Sequence, residues 1–172
     1  SGNNNAGGNL TTVQGDLVIL NTAGGSYGLV TTQNTTVNIS GKLQIDAGTL
    51  YLSGSTGNPT VNVFGNVTIN GGTLQPASTG STVTNLNIRG NWTNNGTLTT
   101  GTGSTIRMNG VTPQTMIGST FNNLVIDNAT GVTLNSAETI TNNLSITTGS
   151  VLNLGAFTHT AGTLTLGGIG MA

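Results

Sequence analysis

One short phrase recurs four times along the chain: Gly15-Asp16-Leu17-Val18-Ile19, Gly41-Lys42-Leu43-Gln44-Ile45, Gly65-Asn66-Val67-Thr68-Ile69 and Gly90-Asn91-Trp92-Thr93-Asn94. The glycines are 26, 24 and 25 residues apart. A period of this length is that of a solenoid, in which each repeat buries its apolar face only against its neighbours. The chain is therefore expected to be a stack of coils.

Aligning the phrases on glycine exposes the columns of that stack. Two residues after each Gly stand Leu17, Leu43, Val67 and Trp92, and four after stand Ile19, Ile45, Ile69 and Asn94. Two residues before stand Val13, Ile39, Val63 and Ile88, and four before stand Thr11, Val37, Val61 and Leu86. Alternate positions are apolar on both sides of a Gly, which is strand periodicity with a bend and not a 3.6-residue helical pattern. The column between them, Thr12, Asn38, Asn62 and Asn87, is polar. Parity places it outward, where stacked amides can bond from coil to coil.

The period shortens in the last third. Asn122-Asn123-Leu124-Val125-Ile126-Asp127 returns as Asn142-Asn143-Leu144-Ser145-Ile146-Thr147, and more loosely as Gly162-Thr163-Leu164-Thr165-Leu166, at offsets of 20 residues. Each short coil reads as three β-rich pieces, for instance Leu144 to Thr147, Val151 to Leu154 and Phe157 to Thr160, separated by turn residues. The organisation expected is a flexible segment at 1–9, coils of about 25 residues over 10–108, an irregular loop at 109–121, and coils of about 20 residues over 122–172. The fold class is all-β: a parallel β-helix, right-handed by the usual crossover rule, three-sided, of about seven coils and without α-helix. At ~4.8 Å per coil such a rod is ~35 Å long.

Composition fits that architecture. There are 28 Gly, 3 Pro and only 7 charged side chains among 172 residues, with Thr, Val and Ile suited to strands. Gly and Asn are expected at corners because they tolerate positive φ. The branched aliphatics and the net charge of −1 argue against disorder. Lys42, Arg89 and Arg107 are the only basic residues, too few for the stripe that nucleic acid requires. No apolar run is long enough for a transmembrane helix, and the start of the chain shows no signal-peptide pattern. The sequence opens on Ser1, which leaves open a removed leader or a piece of something longer.

Candidates for chemistry are sparse, and neither a catalytic site, a cofactor site nor a metal site is expected. With no Cys, disulfides and thiolate metal sites are excluded. A β-helical glycosidase or lyase needs two or three converging carboxylates. Asp16 shares its column with Lys42 and reads as half of a surface ion pair, while Asp127 and Glu138 occupy different coil positions and read as turn caps or solvated groups. His159 lacks companion ligands. Trp92 stands in an inward column and reads as core. Tyr27 and Tyr51 are the aromatic candidates for stacking on a glycan. Thr-x-Thr pairs shift position from coil to coil, as at Thr97–Thr99, Thr139–Thr141 and Thr163–Thr165, against the regular array an ice-binding face needs.

The segment from about 104 to 167 carries a resemblance. Thr112-Pro113-Gln114-Thr115, Phe121-Asn122-Asn123-Leu124-Val125-Ile126, Gly131-Val132-Thr133-Leu134-Asn135 and the run from Leu144 to Leu154 are similar to the repeats of large secreted surface proteins of the Bacteroidota, the adhesin-like cargo of type IX secretion. The resemblance implies a secreted, cell-surface, structural or adhesive role, without membrane insertion.

An open solenoid leaves unpaired backbone groups at both extremities, and neither 1–9 nor the tail after Leu166 reads as a cap. The expected partner is therefore a second copy, stacked head to tail through Val13, Leu17 and Ile19 against Leu164 and Leu166, giving a non-closing filament. Two alternatives stand beside it: a glycan-binding adhesin module excised from a longer array and presenting Tyr27, Tyr51 or the 109–121 loop to surface glycans, and an ice-binding protein.

Overall fold

The computed structural model describes residues 4–5, 10–21, 26–28, 34–53, 57–76, 84–167 and 169–170. Of the segment 1–9, only the two residues of β1 (Asn4–Asn5) fall within it; the rest lies outside the described residues. The long coils follow as β2 (Thr12–Val13), β3 (Leu17–Ile19) and β4 (Ser26–Gly28); β5 (Thr36–Ile39), β6 (Leu43–Ile45) and β7 (Thr49–Tyr51); β8 (Thr60–Val63), β9 (Val67–Ile69) and β10 (Thr73–Gln75); and β11 (Asn85–Ile88), β12 (Trp92–Asn94) and β13 (Thr97–Leu98). Then come β14 (Thr105–Met108) and β15 (Gln114–Ile117); β16 (Thr120–Ile126) and β17 (Val132–Leu134); β18 (Thr139–Ile146) and β19 (Leu152–Asn153); and finally β20 (Thr160–Leu166) and β21 (Ile169–Gly170).

The strands stack as a β-solenoid of about six turns, with no helix among the described residues. Three sheets run along it: β1-β4-β7-β10-β13, β2-β5-β8-β11-β14-β16-β18-β20-β21 and β3-β6-β9-β12-β15-β17-β19. Every pairing is parallel except β20 with β21. Such pairing requires a whole coil between partners, which is what the recurring period supplies.

Register follows the aligned glycines. Leu17 pairs with Leu43, Leu43 with Val67 and Val67 with Trp92; Ile19, Ile45, Ile69 and Asn94 form the neighbouring column. Val13, Ile39, Val63 and Ile88 align in the nine-stranded sheet. From Val37 to Leu144 the inward residues form one continuous buried core of aliphatics, with Trp92 and Phe121 its largest side chains. Burying each such side chain is worth roughly 1.5–3 kcal/mol. Trp92 and Phe121 meet with ring centroids 5.7 Å apart and planes tilted by 60°, close to where the five-stranded sheet ends at β13.

The recurring glycines serve clearance and not positive φ. Gly41, Gly65 and Gly90 donate their N–H to the carbonyls of Gly15, Gly41 and Gly65 at 2.9, 2.9 and 3.2 Å. A Cβ on Gly65 would lie 2.8 Å from the carbonyl carbon and oxygen of Gly41, and one on Gly90 would lie 2.5 Å from those of Gly65. None of these glycines is in the left-handed region, which is instead occupied by Gly48, Gly57, Gly103, Gly118, Gly131, Gly149, Gly155 and Gly167.

The short coils depart from expectation in two ways. Each contributes to two sheets, not three, and the residues from Phe157 to His159 form no strand; β20 starts at Thr160. The former third side survives as the first residues of β16 and β18, fused to the nine-stranded sheet through irregularities after Phe121 and Ile140. That fusion accounts for the shorter period of these turns. Residues 109–121, expected as an irregular loop, contain β15 and the start of β16. Gln114, too polar to signal a core position, holds this segment in place: it is buried, takes the Gly110 N–H at 2.9 Å and donates to the carbonyls of Ile88 and Gly90.

Candidate functional site

Two surfaces stand out: the outer face of the nine-stranded sheet and the C-terminal coil. On the first, Thr12, Asn38, Asn62, Asn87 and Arg107 lie in register. Asn62 Nδ2 donates to Asn38 Oδ1 and Asn87 Nδ2 to Asn62 Oδ1, both at 2.8 Å. The amide ladder ends at Asn87, because Arg107 turns its guanidinium to Asp127, with Nε to Oδ2 at 3.0 Å.

The adjacent outward column brings Phe64, Arg89 and Asn109 together. The Arg89 guanidinium lies over the Phe64 ring, 4.4 Å from its centroid. Asn109 keeps a buried Oδ1 with no hydrogen-bond partner. A recess of about 100 Å³ lies among Asn62, Phe64, Asn87, Arg89 and Asn109. Beside it, a shallower one of about 300 Å³ is bounded by Asn85, Asn87, Thr105 and Arg107. The grouping is legible in the sequence: Phe64, Arg89 and Asn109 each immediately precede a glycine, Gly65, Gly90 and Gly110, and so share one outward column.

The carboxylates sit apart, each with its own partners. Asp16 Oδ1 accepts the Lys42 N–H at 2.9 Å, and Asp16 Oδ2 lies 3.9 Å from Lys42 Nζ. Asp46 accepts from Asn70 Nδ2 at 2.6 Å and from Gln44 Nε2 at 2.8 Å, and these bonds, the Asn70 one foremost, hold its carboxyl below the usual value. For Asp127 burial acts upward, but the Thr147 hydroxyl and Arg107 outweigh it, so that its carboxyl too is lowered. Glu138, expected to cap a turn or face solvent, does cap a turn, but from a buried position only 1 % exposed. Its carboxylate receives the N–H groups of Gly118 and Ser119 at 3.0 and 2.7 Å, with the Ser136 hydroxyl. His159 Nδ1 accepts the Glu138 N–H at 3.1 Å, which puts the ring proton on Nε2, facing the Leu154 carbonyl at 2.8 Å.

Trp92 is fully buried, its indole N–H donating to Ser119 Oγ at 3.1 Å. Tyr51 is half-buried on the five-stranded sheet, while the Tyr27 side chain lies outside the described residues. Threonines do form registered columns, Thr49–Thr73–Thr97 and Thr120–Thr139–Thr160. Beside the first column run Gly28, Tyr51 and Gln75, so that column has no second file of threonine on that side.

At the C-terminal coil an inward column emerges into solvent. Leu124, Leu144 and Leu164 are in register, and their exposures are 0 %, 7 % and 46 %. Leu154, Phe157 and Leu166 are exposed there as well. Val13, Leu17 and Ile19 at the other extremity are partly buried against the core. The antiparallel β21 pairs with Thr165 and Leu166, so the edge of β20 left open to a partner is Thr160–Leu164.

Among the described residues no group of three or more His, Asp or Glu is placed to hold a metal ion, and no helix is long and apolar enough to cross a membrane. Compared with known proteins, the chain matches no family model, no curated protein and no solved structure.

Proposed function

We propose that the chain is a non-catalytic structural protein of the cell exterior, a solenoid subunit that stacks head to tail with further copies of itself into a surface filament. The reading rests on the Leu124–Leu144–Leu164 column, in which burial is lost at the last coil alone. An inward leucine left at the surface forgoes most of the roughly 1.5–3 kcal/mol its burial is worth, and a second coil laid over it recovers that. The next copy presents Leu17 on the column of Trp92, Met116 and Leu134 and Val13 on that of Leu166, where β2 takes the Thr165–Leu166 edge in place of β21. Strand edges β2 and β3 supply the backbone groups for β20 and β19. In this reading the solenoid winds right-handed and is triangular in section over its long coils. The secreted location, and kinship with Bacteroidota surface repeats, rest on the similarity of residues 104–167 to such repeats.

The test is light scattering and electron microscopy of the purified chain over a concentration series, alongside Leu164→Glu. Rods that lengthen with concentration, and shorten in the variant, are expected. Monodisperse particles of one chain at every concentration would overturn the filament, as would native material whose mass far exceeds 17.2 kDa within a single polypeptide, which would place further coils of the same chain over Leu164.

A further inference from the structure

We infer that the recess between Phe64, Asn87, Arg89 and Asn109 binds an acidic polysaccharide, a polyuronate, through its sugar carboxylates. The site lies on the side of the rod and is independent of the end-to-end contact.

Arg89 is the first reason. The ion pairs among the described residues are Lys42–Asp16 and Arg107–Asp127, so the Arg89 guanidinium has no carboxylate partner among them. Its donors form a planar fork that matches a carboxylate bidentately. The guanidinium lies over the ring of Phe64, itself 40 % exposed, which fixes its place on the sheet. The one acid near it in the same column, Asp127, is already taken by Arg107 and by Thr147, whose hydroxyl donates at 2.7 Å. With Arg107 neutralised, the local field at Arg89 is that of one uncompensated cation.

Acceptors supply the second reason. The amide ladder points one way, each Nδ2 toward the preceding coil, so that Asn87 ends it with an Oδ1 that no following amide fills. Asn109, lining the same recess, carries an acceptor without a donor. Rotating that amide toward a ligand O–H satisfies it. A carboxylate next to several hydroxyls is the chemistry of a uronic acid. The second N–H of Asn62 and of Asn87, which the ladder leaves over, repeats at the strand spacing of ~4.8 Å and offers a donor to successive sugars of an extended chain along the rod axis.

Binding to alginate, with neutral dextran as control, is measured by calorimetry at low salt for the wild type and for Arg89→Ala, Arg89→Lys and Lys42→Ala, whose folds are checked by circular dichroism. Lys42 carries a comparable charge elsewhere on the rod. Alginate binding that weakens at least about tenfold in Arg89→Ala, partly recovers in Arg89→Lys and is unchanged in Lys42→Ala is the expected result. Absent alginate binding, equal binding of dextran, or equal losses in Lys42→Ala and Arg89→Ala would each overturn the assignment.

Discussion

Between Gly15 and Gly90 the recurring corner of each coil is glycine laid on glycine, with only exposed side chains such as Asp16 and Asn66 beside it, whereas beyond Gly101 the corners are propped by buried polar side chains. In the first region Gly41, Gly65 and Gly90 hydrogen-bond directly to the glycine below, and the clearance between them leaves no room for a Cβ. In the second, Gln114 bridges the corner of its own coil to the carbonyls of Ile88 and Gly90 and takes Asn128 Nδ2 at 2.9 Å. Glu138 does the same for the corner at Gly118 and Ser119. Both devices satisfy backbone groups at a bend that has left its sheet. The glycine device is repeated identically and depends on space. The side-chain device is built once per corner and depends on charge and hydrogen bonds, so it fails locally.

That difference is broken most severely at Glu138. Removing its carboxylate in Glu138→Ala leaves the part-buried Ser119 N–H without an acceptor and the Gly118 N–H with the Ser136 hydroxyl alone, and an unsatisfied group of this kind costs about 1–3 kcal/mol. A loss of about 3 kcal/mol in urea unfolding is expected, with amide exchange at Gly118 and Ser119 accelerated while that at Gly65 stays slow. Glu138→Gln keeps one acceptor oxygen and falls between. Unaltered stability in Glu138→Ala would mean that the corner is held by the strands alone, and the contrast between the two halves would disappear.

The glycine column sharpens the comparison from the other side. In Gly65→Ala the new methyl meets the Gly41 carbonyl, which is backbone and has no rotamer to yield, so the coils must part. Overpacking of this kind costs about 1–3 kcal/mol. Gly15→Ala is the control: it heads the same column, but a Cβ there meets nothing within 4 Å, and its effect should stay within about 0.5 kcal/mol. Gly149→Ala, at φ +80° in open space, should cost about 1 kcal/mol through backbone strain alone. Thermal melts of the three variants, ranked Gly65 over Gly149 over Gly15, check the account. Equal melts for Gly65→Ala and Gly15→Ala would show that coil spacing relaxes freely.

What could be read without coordinates follows from the same physics. Strand pairing in a solenoid repeats at fixed offsets, so aligning four glycines was enough to read the columns of Leu17, Ile19 and Val13 and the outward amides of Asn38, Asn62 and Asn87. The short coils were harder, because the third side there is fused into β16 and β18 through irregularities, and a two-residue remnant has no periodicity of its own. Gln114 and Glu138 resembled surface residues because a buried polar group is recognisable only once its partners are known, and those partners are backbone atoms one coil away. The pairing of Phe64 with Arg89 was within reach. Both stand one residue before a corner glycine, but as an aromatic and a cation they do not repeat each other, and a search for similarity passes over complementary neighbours.

The two halves should also part in acid, by the smallest margin. Asp46 in the long coils and Asp127 in the short ones both have carboxyls below the unfolded value, which is about 3.9. A folded-state value below the unfolded one means that the ionised form stabilises the fold: the contribution is complete above about pH 4 and is lost as the pH falls through the folded value. Asp46 is held by neutral amides, Asn70 in an exposed contact and Gln44, so its share should be hard to detect. Asp127 is clamped between Arg107 and the Thr147 hydroxyl, with 34 % of its side chain exposed, and its share after solvent screening is under about 1 kcal/mol. Urea midpoints at pH 7 and pH 3 should therefore converge more in Asp127→Asn than in Asp46→Asn, relative to wild type. Equal convergence would show that the half-buried ion pair does no more for the short coils than an exposed amide contact does for the long ones, and that the polar clamps of the C-terminal half act through their hydrogen bonds to backbone alone.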